Sequence, residues 1–407
     1  MVMTKAIYRT KILVITLCSL MTTDLYAKEI AVGILLTPKQ RPPYEAIFKE
    51  FTAETGISVR PILRNDTEYK EDIPSWLRRG TVDVLYWQAS QRLFEYSKNN
   101  LIHSITHLWN EQNFDTNFSH VKDGVTYKGD IYALPMSYYH WGIFYKKSLL
   151  KRYDSVPTSW QEFIKICYRM QVDGITPFGL GSKDNWPAAA WFDYLNLRIN
   201  GLKFHRLLLS GKVSFHDARV QAVLIEWKGL VDNGFFNTNH SSLYWDQVLP
   251  VFYREKIGFI LIGNFVFSKW SSAIIDDIGF MPFPKIKPIP QYEEAPMDVF
   301  MISKNTQQIE EAEEFIKFMA RSDIQAKHNK ALGYLPPNKS ATVSHHPLIQ
   351  VGSKLLNQAA GLSYYFDRDT SPAFDKLATP ILAEFITSGD LIDTTSRLEQ
   401  ARLQAFK

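Results

Sequence analysis

Residues 129–163 read GDIYALPMSYYHWGIFYKKSLLKRYDSVPTSWQEF, and the reading of this stretch decides the fold. Tyr132-Ala133-Leu134 is a short apolar run that Pro135 is expected to end, because proline has no N–H to give to a sheet ladder. Ser137-Tyr138-Tyr139-His140-Trp141 follows, too polar for a core strand and too aromatic for an ordinary loop. Gly142-Ile143-Phe144-Tyr145 reads as a second strand. Ser159 then stands three residues before Glu162, the spacing of a capping box, and Trp160, Phe163, Ile164 and Cys167 form a helical stripe behind it. Two readings fit the aromatic run. One is a surface loop carrying some core aromatics; the other is a chain passing between two lobes, with Ser137 to His140 exposed to a ligand cleft.

The residues before this stretch alternate strand and helix. Ile30 to Leu36 is an apolar strand, and Tyr44, Ile47, Phe48 and Phe51 fall at helical spacing with Gly56 as the stop. Ile57 to Leu63, a helix through Trp76 and Leu77 ended by Gly80, and the strand Val82 to Tyr86 follow. This order predicts a mainly parallel sheet with helices on its faces, whose ligands sit outside the carboxyl ends of the strands. The same grammar restarts after residue 163. Strands are expected at Thr176 to Leu180, Ile257 to Ile262 and Ile278 to Met281, with helices at Ala188 to Ile199 and through Val220 to Trp227. Prolines between Pro282 and Gln291 mark a second crossing, and Gly333-Tyr334-Leu335-Pro336-Pro337 a third. Between them lie a strand, Asp298 to Ile302, and a helix carrying Ile309, Ala312, Phe315, Ile316 and Met319; the tail from Leu348 is mainly helical in pattern.

Length agrees with two lobes, since 407 residues exceed one ordinary core. Lys5, Arg9 and Lys11, the apolar run Ile12 to Leu20 and the end at Leu25-Tyr26-Ala27 have the order of a secretory signal peptide, cleaved after Ala27. Its apolar run is too short to span a bilayer. Leu17 before Cys18 is bulky where a lipoprotein signal needs a small residue, which argues against lipid attachment. Beyond residue 27 only Cys167 remains, so no internal disulfide forms; its place on the helical stripe reads as packing. The formal charge is +4, of which the leader contributes about half, and no Lys/Arg block stands out, which argues against nucleic acid or an anionic membrane as the main partner.

No metal or cofactor motif is present, and His345-His346 are adjacent rather than at metal-ligand spacing. Neither a G-x-S-x-G elbow nor a phosphate loop occurs. Asp66, Asp184 and Asp298 fall at strand ends or loops, where they read better as hydrogen-bond acceptors or caps than as a catalytic pair. The residues give no positive sign of an enzyme, although a paired-carboxylate glycosidase, whose two acids need not be close in sequence, stays open at this point.

Several blocks resemble the family 1 extracellular solute-binding proteins, the group that includes maltodextrin-binding proteins of bacterial ATP-binding-cassette importers. They are Tyr132 to Pro135, Trp141 to Lys147 and Val156 to Phe163, with Phe48 to Phe51 and Thr55 to Val59 before them and Gly263-Asn264-Phe265, Ile302 to Lys304, Ala312 to Ile316 and Gly333 to Pro336 after. They fall in family order over nearly the whole chain beyond residue 27. The resemblance implies a type II periplasmic-binding-protein fold: two α/β lobes, each a mainly parallel sheet flanked by helices, joined by a multi-crossing hinge. The division expected is 28–137 with 287–336 for the first lobe and 138–286 with 337–407 for the second. It also implies a monomer that takes a carbohydrate, an oligosaccharide, in the cleft and hands it to a membrane permease. A membrane sensor as partner, or a secreted carbohydrate-active enzyme, remain alternatives.

Sugar rings stack their C–H faces on aromatics while their hydroxyls need many hydrogen bonds. Trp87, Trp141, Trp186 and Trp245 are the candidate platforms, each able to serve the core instead. Asp66, Gln88, Tyr138, Tyr139, Asn185, Asn264, Asp298 and Tyr334 are the candidate hydrogen-bonding groups, while Trp76, Trp160 and Trp227 read as packing. Two departures, Thr37-Pro38-Lys39 after the first strand and Phe265 in place of the family's Trp, argue against maltodextrin as the ligand. Lys39, Arg41, Arg64 and Lys183 could favour an acidic sugar, though solvated rim charges explain them better.

Overall fold

The computed structural model describes residues 28–35, 41–64, 66–154 and 156–407, so the expected signal peptide and Thr37-Pro38-Lys39 lie outside the described residues, as do the side chains of Asp66 and Thr67. The strands in chain order are β1 Glu29–Leu35, β2 Ser58–Arg64, β3 Val84–Gln88, a short hairpin of β4 Thr126–Tyr127 and β5 Asp130–Ile131, β6 Leu134–Tyr138, β7 Trp141–Lys146, β8 Thr176–Gly179, β9 Ile257–Gly263, β10 Ile278–Met281, β11 Tyr292–Glu294, β12 Met297–Ile302 and β13 Gly361–Ser363. They form two main sheets, ordered β2-β1-β3-β12-β6 and β10-β7-β9-β8.

The direction of pairing explains where a site can form. β1 runs parallel to β2 and β3, whereas β12 runs against both β3 and β6. In the second sheet β7 runs against β9 and β10, while β8 is parallel to β9. Each sheet is thus parallel apart from one reversed strand, the one entered after a crossing. Reversal brings the first residues of β12 and β7 to the edge where their neighbours end: Asp298 pairs with Gln88, and Trp141 with Gly263.

The helices follow the apolar spacing. Arg41–Thr55 buries Tyr44, Ile47, Phe48 and Phe51, and Phe51 meets Phe315 and Phe318 of the helix Ile309–Ala320, ring centroids 5.3 Å apart in both cases. Gly56 and Gly80 stop their helices with φ of 73° and 63°, a conformation that glycine adopts without strain. Ser159 caps the helix Trp160–Val172 by accepting from the Glu162 amide at 3.3 Å, and Cys167 is buried within it. Trp76, Trp160 and Trp227 are buried as packing residues. Among the described residues no helix is long and apolar enough to cross a membrane.

Two expectations for the opening stretch need correction. Pro135 does not end a strand; it lies inside β6, opposite Val299, where a register shift between Asp298 and Val299 interrupts the ladder. β6 is an edge strand, so the missing N–H deprives no second neighbour. Nor are Ser137 to His140 exposed: all four are buried. The third crossing covers them. Tyr138 and Leu335 exchange backbone bonds of 3.0 and 3.2 Å, and Asn264 ties both passages together, its amide nitrogen donating to the His140 carbonyl and Nδ2 to that of Gly333.

Candidate functional site

Aromatic side chains from both sheets converge at the shared edge. Phe265, two residues past the end of β9, lies at the centre. Its ring stands 5.2 Å from Trp245, 5.8 Å from Trp141, 6.0 Å from Tyr139 and 6.1 Å from Trp186. Tyr365 from the tail packs at 4.6 Å against Trp141, and Tyr334 from the third crossing meets Tyr139 at 4.8 Å. Trp186, Trp245 and Phe265 keep part of their surface in solvent, whereas Trp141, Tyr139, Tyr334 and Tyr365 are buried behind them. Three half-exposed rings backed by four buried ones make a stiff apolar wall.

A polar group borders this wall. The Asp298 carboxylate, only 4% exposed, accepts from the hydroxyls of Tyr86 and Tyr139 on one oxygen and from Arg368 Nη1 at 3.1 Å on the other. Burial, followed by the nearby Asp298 charge, pushes both tyrosine hydroxyls well above their usual range, so they remain protonated donors. Strand alternation aims Tyr86 at this group and Trp87, one residue on, at the opposite face. There the Trp87 ring stacks on Tyr69 at 6.3 Å, its Nε1 donates to the Arg92 carbonyl, and it lines a separate cavity of about 600 Å³ between the helices Asp66–Arg79 and Gln91–Lys98.

The structure therefore sorts the candidates. Trp141, Trp186, Trp245, Tyr139, Tyr334 and Asp298 come together, although Trp141 presents almost no surface. Trp87 stands apart. Tyr138 is buried with its ring near His120, and Asn264 is 1% exposed and occupied in joining the crossings. Asn185, half-buried, precedes the helix Trp186–Ile199 with φ of 64° and makes no capping bond. Gln88 is half-buried, its Oε1 without a partner among the described residues. Asp66 begins the helix that carries Trp76, and its side chain lies outside the described residues. Sequence reasoning missed Tyr86, Phe265, Tyr365 and Arg368. Phe265 was visible as the substituted position of the Gly-Asn-Phe block; Arg368, in a helix-patterned tail, carried no signal.

Two α/β lobes linked by three crossings, with an aromatic wall and a polar group where they meet, define a hinged two-lobe binding protein of type II. The chain belongs to the bacterial extracellular solute-binding protein family, whose model it matches over residues 37–326. Among curated relatives it is 22% identical over 275 residues to an uncharacterized ABC transporter extracellular-binding protein of Pyrococcus horikoshii, covering 66% of this chain and 61% of that one. It is 23% identical to the multiple sugar-binding protein of Streptococcus mutans over 49% of each chain. The matched stretch is thus less than two thirds of either relative's length. Similar solved structures include the solute receptor AcbH, described as having an exclusive substrate preference for β-D-galactopyranose. Its TM-score is 0.87 at 23% identity, over 94% of this chain and 100% of that one. A chitin oligosaccharide binding protein matches with a TM-score of 0.83 at 18% identity, over 93% and 99%. Maltose-bound MalE3 of T. maritima matches at 0.76 and 18%, over 93% and 100%.

Proposed function

We propose that this protein captures a carbohydrate, an oligosaccharide, between its lobes and delivers it to an ATP-binding-cassette importer. The observation that carries this reading is the trio of half-exposed rings, Trp186, Trp245 and Phe265, mounted on buried aromatics beside Asp298. Such a wall suits the apolar face of a sugar ring. Each hydrogen bond to a hydroxyl adds only about 0.5–1.5 kcal/mol, so micromolar affinity, about 8 kcal/mol, needs groups from both lobes at once. Hinge closure supplies them. The family and its sugar-binding members support this assignment. The role is binding without turnover, performed as a monomer in the periplasm after removal of residues 1–27.

The lobes we assign are 28–137 with 287–336 and 138–286 with 337–407. The two sheets support this division, although β11 pairs with β13 and seats its part of the second crossing on the second lobe.

A thermal-shift screen against mono-, di- and oligosaccharides, with amino acids and polyamines as controls, tests the reading. A sugar at 100 times its Kd should add about 2.7 kcal/mol of stability. A shift with a polyamine and none with any sugar would overturn the ligand class, and consumption of the added oligosaccharide would overturn binding without turnover.

A further inference from the structure

Behind the aromatic wall, three completely buried side chains from three elements converge: Asp193 of the helix Trp186–Ile199, His205 of the helix Gly201–Leu209, and Glu294 at the end of β11. One ligand atom from each lies within 4.8 Å of the others. Both Glu294 oxygens and Asp193 Oδ1 have no hydrogen-bond partner among the described residues. Orphaned buried polar atoms are uncommon in native proteins, and two such carboxylates beside one buried imidazole need a shared explanation.

The neighbours are already engaged elsewhere. Asp193 Oδ2 accepts from the Phe366 amide at 2.7 Å. Arg198, the adjacent cation, pairs with Glu293 at 2.6 Å, and the Ser363 hydroxyl, which also bears on the Glu294 carboxyl at longer range, donates to Asp369 at 2.9 Å. His205 Nε2 faces Asp193 Oδ1 at 3.7 Å and Ser363 Oγ at 3.4 Å, while its Nδ1 lies 3.0 Å from the Asn196 side-chain amide.

We propose that Asp193, His205 and Glu294 form a structural site for one divalent cation of the zinc class, which ties β11 to the second lobe next to the hinge. Two carboxylates and a neutral imidazole balance a charge of +2, and a mixed N/O set of three or four donors suits zinc. Calcium, which takes six to eight oxygens, does not fit a dry cluster of this size. Ser363 Oγ, 3.4 Å from His205 Nε2, is a candidate for a fourth ligand.

Because the cluster is closed to solvent, the test unfolds the full chain in urea with chelator and refolds it with or without ZnCl₂. Metal content and melting point are then measured after dialysis. The expected result is about one retained zinc per chain and a melting point several degrees higher than in the chelated sample. Glu294→Gln, which keeps shape and removes charge, should fold, retain no zinc and melt independently of it. Wild-type protein that retains no zinc and melts the same either way would overturn the site, the carboxyls then sharing protons. Retention and shift undiminished in Glu294→Gln would also overturn it, and so would a response to CaCl₂ alone. If Glu294→Gln does not fold, the wild-type comparison still decides. Sugar binding is scored separately, so either reading can fail without the other.

Discussion

Trp141 and Trp186 touch edge to face, with ring centroids 6.1 Å apart, yet their substitutions should act on different quantities. Trp186 keeps part of its ring in solvent, so Trp186→Ala should weaken sugar binding by about 1.5 kcal/mol, roughly tenfold in Kd, with little change in the urea midpoint. Trp141 is 3% exposed and packed against Tyr365, so Trp141→Ala should cost about 3–5 kcal/mol of stability. Calorimetric titration and urea unfolding of both variants separate the two effects. Titration gives a second residue-scale test. Burial lowers His140 and His328 from 6.5 to about 3, so both stay neutral in the folded chain. The unfolded chain binds protons below about 6.5 that the folded one refuses until about 3. Stability is therefore complete above 6.5 and falls on acidification through that window, by up to about 1.4 kcal/mol per pH unit for each histidine. The urea midpoint should be lower at pH 5 than at pH 7, and His328→Gln should flatten that slope; an unchanged slope would mean the ring already titrates in the folded chain. Trp186 and Trp245 were legible as stacking candidates because both lie in loops between predicted elements. Whether Trp141 faced ligand or core was not legible, because the covering residue, Tyr365, is more than two hundred positions away.

At the scale of elements, local patterns carried most of the fold. Spacing located the helix Trp160–Val172 and its cap, because both depend on contacts within one turn. Ser159 accepts from the Glu162 amide, and Glu162 Oε2 from the Thr158 amide at 2.8 Å, so the helix start is held from both sides. Ser159→Ala should cost about 1 kcal/mol, read as a lower urea midpoint with the sugar Kd unchanged. A drop in affinity instead would show that this helix bears on the cleft. Pro135 was misread because its tolerance depends on β6 being an edge strand, a property set by β12 some 160 residues later. Ser137 to His140 were misread for the same reason: their polarity pointed to solvent, but the third crossing and the helix Pro347–Gln358 cover them. A Cβ on Gly352 would lie 2.1 Å from His140 Nδ1. Gly352→Ala should therefore destabilise by about 1–3 kcal/mol through overpacking, measurable by the same unfolding experiment.

For the whole molecule, the segment from Ser363 to Asp375 joins the lobes in a way that no periodicity announces. Arg92 of the first lobe pairs with Asp367 at 3.1 Å and Asp375 at 2.8 Å, Ser90 donates to Asp369 at 3.0 Å, and Arg368 reaches Asp298 at 3.1 Å. Arg368→Ala leaves the Asp298 carboxylate buried with only the two tyrosine hydroxyls, and an uncompensated buried charge costs about 3–5 kcal/mol. Opening the lobes relieves that cost by returning the carboxylate to water. The variant should therefore populate an open form, seen as a larger radius of gyration by small-angle scattering, and should bind sugar more weakly because closure now works against the equilibrium. Asp298→Asn in the same chain removes the stranded charge. The double variant should return toward the wild-type radius, a coupling that two independent sites would not show. If Arg368→Ala leaves the radius unchanged and its effect simply adds to that of Asp298→Asn, the ion pair does not set the position of the hinge.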